Sequence, residues 1–252
     1  MNRVLVTGAA SGLGAALTAA FRARGDDVLA TDRVTGDGVD LVLDITSDAD
    51  WATALAAVEE RWGGLDVLVN NAGVAGGGRI ELCSMDDWRW ITEINLFGVV
   101  RGVQAFTPML KSQRSGHIVN VASLAGLVHP GGMGSYNAVK AAVVAFTETC
   151  GHELAAYGVR ASVVCPSYFR TNLMDSMQGQ DEVIGTVIAG LVERSKVSAD
   201  DIAAAVLAGM DAGEDVIVPD DAARQAYHLK WADRAAYDEV MRHQAARLDA
   251  MS

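Results

Sequence analysis

Three residues in the middle of the chain, Ser123, Tyr136 and Lys140, have types and spacing suited to moving one proton. Tyr136 and Lys140 are four positions apart, so on a helix their side chains share a face. A free phenol has a pKa near ~10, and an ammonium ~4 Å away favours the phenolate by ~4 kcal/mol at an effective dielectric constant of ~20. We therefore expect Lys140 to lower the pKa of Tyr136 by up to ~3 units before any cost of burial, which would make Tyr136 a general acid or base.

By itself, Tyr-x-x-x-Lys is a weak signal, because most such pairs are a partly buried aromatic ring beside a solvated lysine. The rest of the chain strengthens it by predicting a scaffold. Short apolar runs alternate with helical stretches, which favours a parallel sheet covered by helices on both faces. We predict a Rossmann-like, doubly wound α/β fold with a mostly parallel seven-stranded sheet, in a single domain over residues 1–252. The predicted strands are 4–6, 28–31, 39–43, 65–69, 117–121, 159–165 and 216–218, and the predicted helices are 12–24, 48–62, 85–110, 136–157, 200–210, 222–231 and 234–251.

Composition argues against several classes of function. The net charge of −12 disfavours a nucleic-acid partner, since nucleic-acid binders usually carry a basic stripe. Three cysteines without paired spacing favour a reducing, cytoplasmic setting, and five histidines without a ligand-like pattern predict no metal. We find no run of 18 apolar residues and predict no membrane partner. Residues 1–20 resemble a signal peptide in charge and hydropathy, but we assign them to the fold because they contain a glycine-rich loop.

That loop lies between the first predicted strand and the first predicted helix. It includes Gly8, Ser11, Gly12, Leu13 and Gly14, with the spacing Gly-x-x-x-Gly-x-Gly. Glycines there allow a tight turn and let a pyrophosphate approach the backbone, and the helix N-terminus supplies amide hydrogens and partial positive charge. Its place between strand and helix predicts a nucleotide site at the carboxyl edge of the sheet.

Acidic Asp32 ends the second predicted strand, 18 residues after Gly14. A carboxylate at this distance suits the two hydroxyls of an adenosine ribose. A 2′-phosphate would bring roughly two negative charges against it, at a cost of several kcal/mol before screening. This predicts a preference for NAD(H) over NADP(H), although the neighbouring Arg33 offers a partner to a phosphate if it turns inward.

Two further strand ends carry polar or small residues. Asp44, followed by Ile45, ends the third predicted strand, where its carboxylate has two equally weighted roles: binding the adenine amino group or capping the next helix. The fourth predicted strand ends in Asn70-Asn71-Ala72-Gly73. Gly73 would let a ribose lie against the backbone, and Asn70 would tie neighbouring strands together.

Together these motifs resemble those of the short-chain dehydrogenases/reductases, over about residues 3–175. The resemblance implies an NAD(P)-dependent alcohol dehydrogenase or carbonyl reductase. The catalytic set would be Tyr136 as acid/base, Lys140 lowering its pKa and holding the nicotinamide ribose, Ser123 bonding the substrate oxygen, and Asn95 holding a water. The motifs are Thr7-Gly8-x-x-x-Gly12-x-Gly14, Asn70-Asn71-Ala72-Gly73, Asn95, Ser123, Tyr136-x-x-x-Lys140, and Pro166 followed by Thr171. The expected cofactor-binding residues are Gly8, Ser11, Gly12, Leu13, Gly14, Asp32, Arg33, Asp44, Ile45, Asn71, Ala72, Gly73, Tyr136, Lys140, Pro166 and Thr171.

The chain departs from the family pattern twice. Ser167 stands where the family usually has glycine after Pro166, which questions the local backbone shape. The segment after the last strand is not the usual Val-Asp-Gly-Gly but a helical tail over about 219–252. We expect this tail to pack on its own domain, with covering the active site or contacting a neighbour as alternatives. Its predicted apolar stripe is Tyr227, Trp231, Tyr237, Val240, Met241 and Leu248.

The residues flanking the catalytic set predict an apolar substrate pocket. The variable loop over about 168–198 should close over the substrate, as the resemblance implies. We find no arginine pair placed for an anion, so we expect a small or medium uncharged ketone or secondary alcohol. The expected pocket residues are Leu124, His129, Met133, Tyr168, Phe169, Leu173 and Met174.

Three alternatives are open. One is an NADP-dependent carbonyl or 3-oxoacyl reductase of the same family, which Asp32 disfavours. Another, a halohydrin-dehalogenase-like lyase, would lose the glycine loop and carry arginine at position 140. The third is a non-catalytic NAD-binding sensor or scaffold, which would predict loss of Ser123, Tyr136 or Lys140. From the family alone we expect a homotetramer or homodimer, a cofactor half over about 1–120 and a catalytic and substrate part over about 121–218.

Overall fold

Strands and helices alternate through the computed structural model, which describes residues 1–251. The strands are β1 (Arg3–Thr7), β2 (Asp27–Asp32), β3 (Leu41–Val42), β4 (Val67–Asn70), β5 (Gly116–Val121), β6 (Val159–Val164) and β7 (Val216–Ile217). The helices are α1 (Gly12–Ala23), α2 (Asp48–Trp62), α3 (Met85–Thr92), α4 (Gly98–Gln113), α5 (Gly134–Leu154), α6 (Glu182–Arg194), α7 (Ala199–Ala212), α8 (Asp221–Ala232) and α9 (Arg234–Asp249). A π-helical turn (Glu93–Phe97) joins α3 to α4, and 3-10 turns cover Leu124–Gly126, Ala155–Tyr157 and Asn172–Ser176.

The seven strands form one sheet in the order β3-β2-β1-β4-β5-β6-β7, and every described pairing is parallel. The predicted doubly wound fold is therefore confirmed. The winding direction reverses between β1 and β4, which is the point where such sheets bind ligands. The segments following these two strands are joined there, since the Asn71 side chain donates to the Thr7 carbonyl oxygen at 2.9 Å.

Alternating residues of each strand pack against the two helical layers. Val4 and Val6 of β1 lie in the cluster that includes Phe21 of α1, and Leu5 lies in the cluster that includes Trp51 of α2 and Phe106 of α4. The rings of Trp51 and Phe106 meet edge to face, with centroids 6.4 Å apart. Burial on both faces explains why these strands read as continuous apolar runs.

A buried polar chain crosses from the sheet to α5, the helix that carries Tyr136. The Asn70 side chain donates to Asn120 Oδ1 on β5 at 2.9 Å, and the Asn120 side chain donates to Thr147 Oγ1 on α5, also at 2.9 Å. The sequence-based expectation that Asn70 ties neighbouring strands is thus realised. These side-chain hydrogen bonds fix β4, β5 and α5 relative to one another, because a buried amide that lost its partner would lower the free energy of unfolding by about 1–3 kcal/mol.

Most predicted elements have bounds within three residues of the observed ones, and three elements differ in length, continuity or type. The third strand spans Leu41–Val42 rather than 39–43, because only these residues pair with β2. The helix expected over 85–110 is interrupted by the π-helical turn and continues to Gln113. The variable loop contains helix α6, which begins where the Asp181 side chain accepts the amide hydrogen of Ile184. The predicted tail helices are present as α8 and α9.

We predict that Phe106→Ala lowers the free energy of unfolding by about 3–5 kcal/mol, because it removes a fully buried ring and leaves a cavity. Phe97→Ala is the matched control: this ring is 45% exposed, and its loss should change the free energy by about 0.5 kcal/mol or less. Urea denaturation of both variants measures the difference. Equal effects would contradict the packing described for Phe106.

Candidate active site

The structure brings Ser123, Tyr136 and Lys140 together at the carboxyl end of β5. Ser123 follows β5 and begins a 3-10 turn, where its hydroxyl accepts the Ala125 amide hydrogen at 3.2 Å. Tyr136 and Lys140 lie in the first two turns of α5 and are both buried. The Lys140 ammonium lies 5.7 Å from the centroid of the Tyr136 ring and donates to the Val121 carbonyl oxygen at 3.0 Å. The lysine thus spans the distance between its helix and the end of β5.

Burial controls the proton affinities of this pair. Desolvation raises the pKa of Tyr136 to about 12, while a hydrogen bond with Ser123 acts in the lowering direction. Desolvation also lowers the pKa of Lys140 to about 8. Burial therefore shifts the pKa of Tyr136 in the direction opposite to the effect expected from Lys140, which the sequence predicts only before any cost of burial.

Asn95 acts on the backbone next to this pair. It lies in the π-helical turn and is 1% exposed. Its side-chain oxygen accepts the Val74 amide hydrogen at 2.8 Å, and its side-chain nitrogen donates to the Val74 carbonyl oxygen at 2.9 Å. Both hydrogen-bonding groups of Val74 are thereby satisfied where the chain leaves the sheet. Asn95 therefore sets the path of the segment that passes beside Gly73 and Lys140.

The glycine-rich loop has the form that a pyrophosphate requires. Gly8 and Gly12 adopt positive φ angles of 68° and 54°. A Cβ on Gly14 would lie 2.0 Å from the Gly8 carbonyl oxygen, so only glycine lets α1 approach the turn. Ser11, at the N-cap of α1, makes no side-chain cap, and the first turn of this helix has no acidic residue. The free amide groups of α1 are therefore suited to an anion.

A cavity of about 1510 Å³ runs from this loop to the catalytic side chains. Drug-sized ligands occupy about 300–1,000 Å³, so this volume admits a dinucleotide together with a second molecule. All the expected cofactor-binding residues line it except Gly14, which packs behind the loop. The residues present therefore fit a nicotinamide dinucleotide.

The end of the cavity where an adenosine is expected contains Asp32 and Asp44. One oxygen of the Asp32 carboxylate accepts the Ala10 amide hydrogen at 3.0 Å, which holds the carboxylate beside the glycine loop. Arg33 also lines the cavity and is exposed. The Asp44 carboxylate accepts the backbone amide and the hydroxyl of Thr46, while Ser47 caps α2. Of the two roles considered for Asp44, helix capping is therefore wrong.

The segment after β6 lines the cavity between the glycine-rich loop and Ser123. Thr171 lies so close to the glycine-rich loop that a Cβ on Gly12 would be 2.7 Å from its hydroxyl oxygen. Pro166 lines the same cavity, and its carbonyl oxygen accepts the Leu124 amide hydrogen at 2.8 Å. This bond connects the segment after β6 to the residue that follows Ser123. The departure at Ser167 causes no strain, since Arg114 is the only non-glycine residue with positive φ among residues 1–251.

Six of the seven expected pocket residues line the cavity, and His129 does not. Its ring is turned toward the tail, with Nδ1 3.2 Å from the Ala125 carbonyl oxygen and Nε2 3.0 Å from the Lys230 ammonium. His129 also lies on the exposed side of its loop. The six that line the cavity are Leu124, Met133, Tyr168, Phe169, Leu173 and Met174.

The tail forms part of the pocket wall, which the sequence analysis gave only as an alternative. Leu248 of α9 is buried in the cluster that contains Tyr136 and Met133. The predicted apolar stripe is only partly buried, because Trp231 is 73% and Val240 42% exposed. Arg194 of α6 and Arg247 of α9 also line the cavity, and the sequence analysis predicted neither of them there. The apolar spacing of Ile184 and Ile188 signals α6, whereas nothing in the tail sequence shows which side of α9 meets the cavity.

Known proteins resemble this chain in sequence and in fold. A family model described as short chain dehydrogenase matches residues 2–182, which include the glycine loop, Ser123, Tyr136 and Lys140. The chain belongs to the short-chain dehydrogenase/reductase family. It is accordingly an oxidoreductase of a family that binds NAD(P), and the resemblance drawn from its motifs is confirmed.

Three relatives illustrate the range of this family. The chain is 34% identical over 233 residues to 2-(R)-hydroxypropyl-CoM dehydrogenase of Xanthobacter autotrophicus, covering 84% of this chain and 93% of the relative. A short-chain dehydrogenase/reductase of Burkholderia phymatum in complex with NAD has a TM-score of 0.85 and 29% identity, covering 93% of this chain and 94% of that one. One from Burkholderia cenocepacia in complex with NADP has a TM-score of 0.80 and 30% identity, covering 94% and 96%. Both cofactor types therefore occur among similar structures.

Within residues 1–251, none of the helices combines the length and apolarity needed to cross a membrane. In the same range, His, Cys, Asp and Glu side chains form no group of three or more arranged to hold a metal ion.

We predict that Tyr136 of the protein without cofactor stays protonated up to a pH of about 12. Because burial raises its pKa above that of a free phenol, the neutral form is retained in the window between pH ~10 and the folded-state pKa. Tyrosinate absorbance of the wild type minus that of Tyr136→Phe isolates this group. A difference signal that develops below pH ~10 would contradict the dominance of burial.

Proposed function

We propose that this protein is an NAD(H)-dependent oxidoreductase that interconverts a secondary alcohol and a ketone. The observation that carries the proposal is that one cavity joins the glycine-rich loop, with its free helix amides, to the side chains of Ser123, Tyr136 and Lys140. A non-catalytic NAD-binding protein would not need a buried tyrosine and lysine beside a serine in the same cavity.

The proposed division of labour follows from the chemistry of each group. A bound nicotinamide ring accepts or donates the hydride. Tyr136 exchanges the proton with the substrate oxygen, and the Ser123 hydroxyl donates a hydrogen bond to that oxygen, where charge builds up. Lys140, whose pKa is lowered to about 8, places a positive charge close to the phenol and favours its deprotonation in the alcohol-oxidising direction.

Apolar walls near Tyr136 support a substrate with an uncharged reacting end. Tyr168, Met133 and Ile184 pack in the same cluster as Tyr136. Arg247 lines the cavity from the tail and is exposed, so it lies toward solvent rather than at this apolar end. We propose small or medium uncharged ketones and secondary alcohols as the substrate class. A panel pairing each ketone with a carboxylate-bearing analogue, followed by nicotinamide absorbance, tests this class; consistent preference for the charged analogue would refute it.

We expect NAD to bind at least about tenfold more tightly than NADP, because the Asp32 carboxylate repels a 2′-phosphate. Asp32→Ser should remove most of this discrimination by improving NADP binding and weakening NAD binding. Asp37→Ser, which changes an exposed carboxylate on the following loop, is the control and should preserve the ratio. Calorimetric titration with both dinucleotides measures the effect, and equal affinities in the wild type would refute the role of Asp32.

Removing the Tyr136 hydroxyl should lower kcat by about 10²-fold or more, which is the usual contribution of general acid–base catalysis. Tyr136→Phe should leave the dissociation constant for NADH within about twofold of the wild type, since the ring and its packing remain. Tyr168→Phe is the matched control, because it removes another phenol hydroxyl of the same cavity, from a half-buried ring whose hydroxyl lies 3.7 Å from the Met133 sulfur. Similar losses of kcat in both variants would show that Tyr136 has no special role.

A further inference from the structure

Ser167 and Asp220, which lie where the chain departs from its family pattern, are bonded to each other. Both the Ser167 backbone amide and its hydroxyl donate to the Asp220 carboxylate, at 2.9 and 2.7 Å. The same carboxylate accepts the Ala223 amide hydrogen at 2.8 Å and so caps α8. Asp220 is 7% exposed, and hydrogen bonds to a buried carboxylate are stronger than bonds between neutral groups. A single carboxylate thus joins the segment after β6 to the first helix of the tail.

The segment held by Asp220 lies next to the reacting groups. Ser167 lines the cavity, and the preceding residue, Pro166, accepts the Leu124 amide hydrogen. Leu124 directly follows Ser123 in the chain. A displacement of Ser167 would therefore be passed both to the cofactor end of the cavity and to the turn that carries the catalytic serine.

The tail holds this turn from its other side as well. The Lys230 ammonium of α8 donates to the Leu127 carbonyl oxygen, and the Tyr237 hydroxyl of α9 accepts the His129 amide hydrogen at 3.0 Å. Tyr237 is 4% exposed. Residues 124–129 are thus held between the segment after β6 and the tail.

We propose that Asp220 is a positioning residue for the active site. Through Ser167 it makes the tail a structural part of the cofactor site, so that α8 and α9 support the segment Pro166–Thr171 as well as forming the pocket wall. The serine that replaces the usual glycine provides the hydroxyl for this contact. The inference rests on the proposed function for its effect on turnover, but its effects on backbone protection and on cofactor binding do not depend on any substrate.

Asp220→Ser is the informative variant, because serine is about as good an N-cap as aspartate and keeps α8 capped while being too short to hold Ser167. The control is Asp221→Ser, which changes the adjacent, exposed carboxylate that pairs only with Arg224 among the described residues. Ser167→Ala removes the hydroxyl while keeping the backbone amide. The double variant, Ser167→Ala with Asp220→Ser, tests whether the two residues act together.

We expect Asp220→Ser to raise the dissociation constant for NADH about tenfold relative to Asp221→Ser, by fluorescence titration. In the protein without cofactor, hydrogen exchange at residues 166–171 should accelerate, because the Ser167 amide loses its acceptor. The Tm should stay within about 4 °C of the control. Ser167→Ala should give a smaller rise in the dissociation constant, and the double variant should resemble Asp220→Ser rather than show the product of the two effects.

Two results would overturn the proposal. One is an NADH affinity and exchange rate equal to those of Asp221→Ser. The other is a large loss of Tm without any change in affinity, which would leave Asp220 as a helix cap alone. If no substrate is turned over by the wild type but Asp220→Ser still weakens NADH binding, the proposed function fails and the positioning role stands.

Discussion

Parallel pairing of all the described strands is the constraint on which the rest of this structure depends. Every strand then ends at the same edge of the sheet, and both of its faces are covered by helices. Polar groups have little place inside such a sheet, so they gather where the strands end. Asp32 ends β2, and Asn71 and Ser123 follow β4 and β5, yet all three line one cavity for this reason.

Burial at this edge has a chemical consequence for the proton-transferring pair. A phenol and an ammonium that both lie away from water are each pushed toward their neutral forms. The phenol therefore stays neutral in the protein by itself, whereas the ammonium keeps its charge until the pH rises through about 8. Spacing along the helix does not determine these protonation states, because it does not report burial.

The sequence predicted the structure correctly where the local backbone requires one particular residue type. Gly14 is required because helix α1 meets the preceding turn, and Asn71 and Asp32 follow strands that are visible as apolar runs. The fold class and the members of the candidate site could be predicted for that reason. Spacing, however, does not report burial, and burial raises the pKa of Tyr136 to about 12 in the protein by itself.

Reasoning from sequence also failed where position depends on long-range packing. Nothing local distinguishes His129, which turns toward Lys230, from Met133, which turns into the cavity. The contact between Ser167 and Asp220 joins residues 53 positions apart, and both appeared in the sequence only as unrelated departures from a pattern. The orientation of α9 likewise depends on long-range packing, because Leu248 is buried in the cluster that contains Tyr136 and Met133.

The side chains that form the pocket wall come from different elements than the side chains at the strand ends. Ile184 and Leu248, which pack beside Tyr136, belong to α6 and α9. Both helices come after β6 in the chain, beyond the strands that position Asp32, Asn71 and Ser123. Substitutions at these two positions would change the shape of the cavity, while Asp32, Asn71 and Ser123 keep their supports at the strand ends. Under the proposed function, a change of substrate would then come from substitutions in α6 or α9, whereas the contact between Asp220 and Ser167 would have to be kept for the cofactor site.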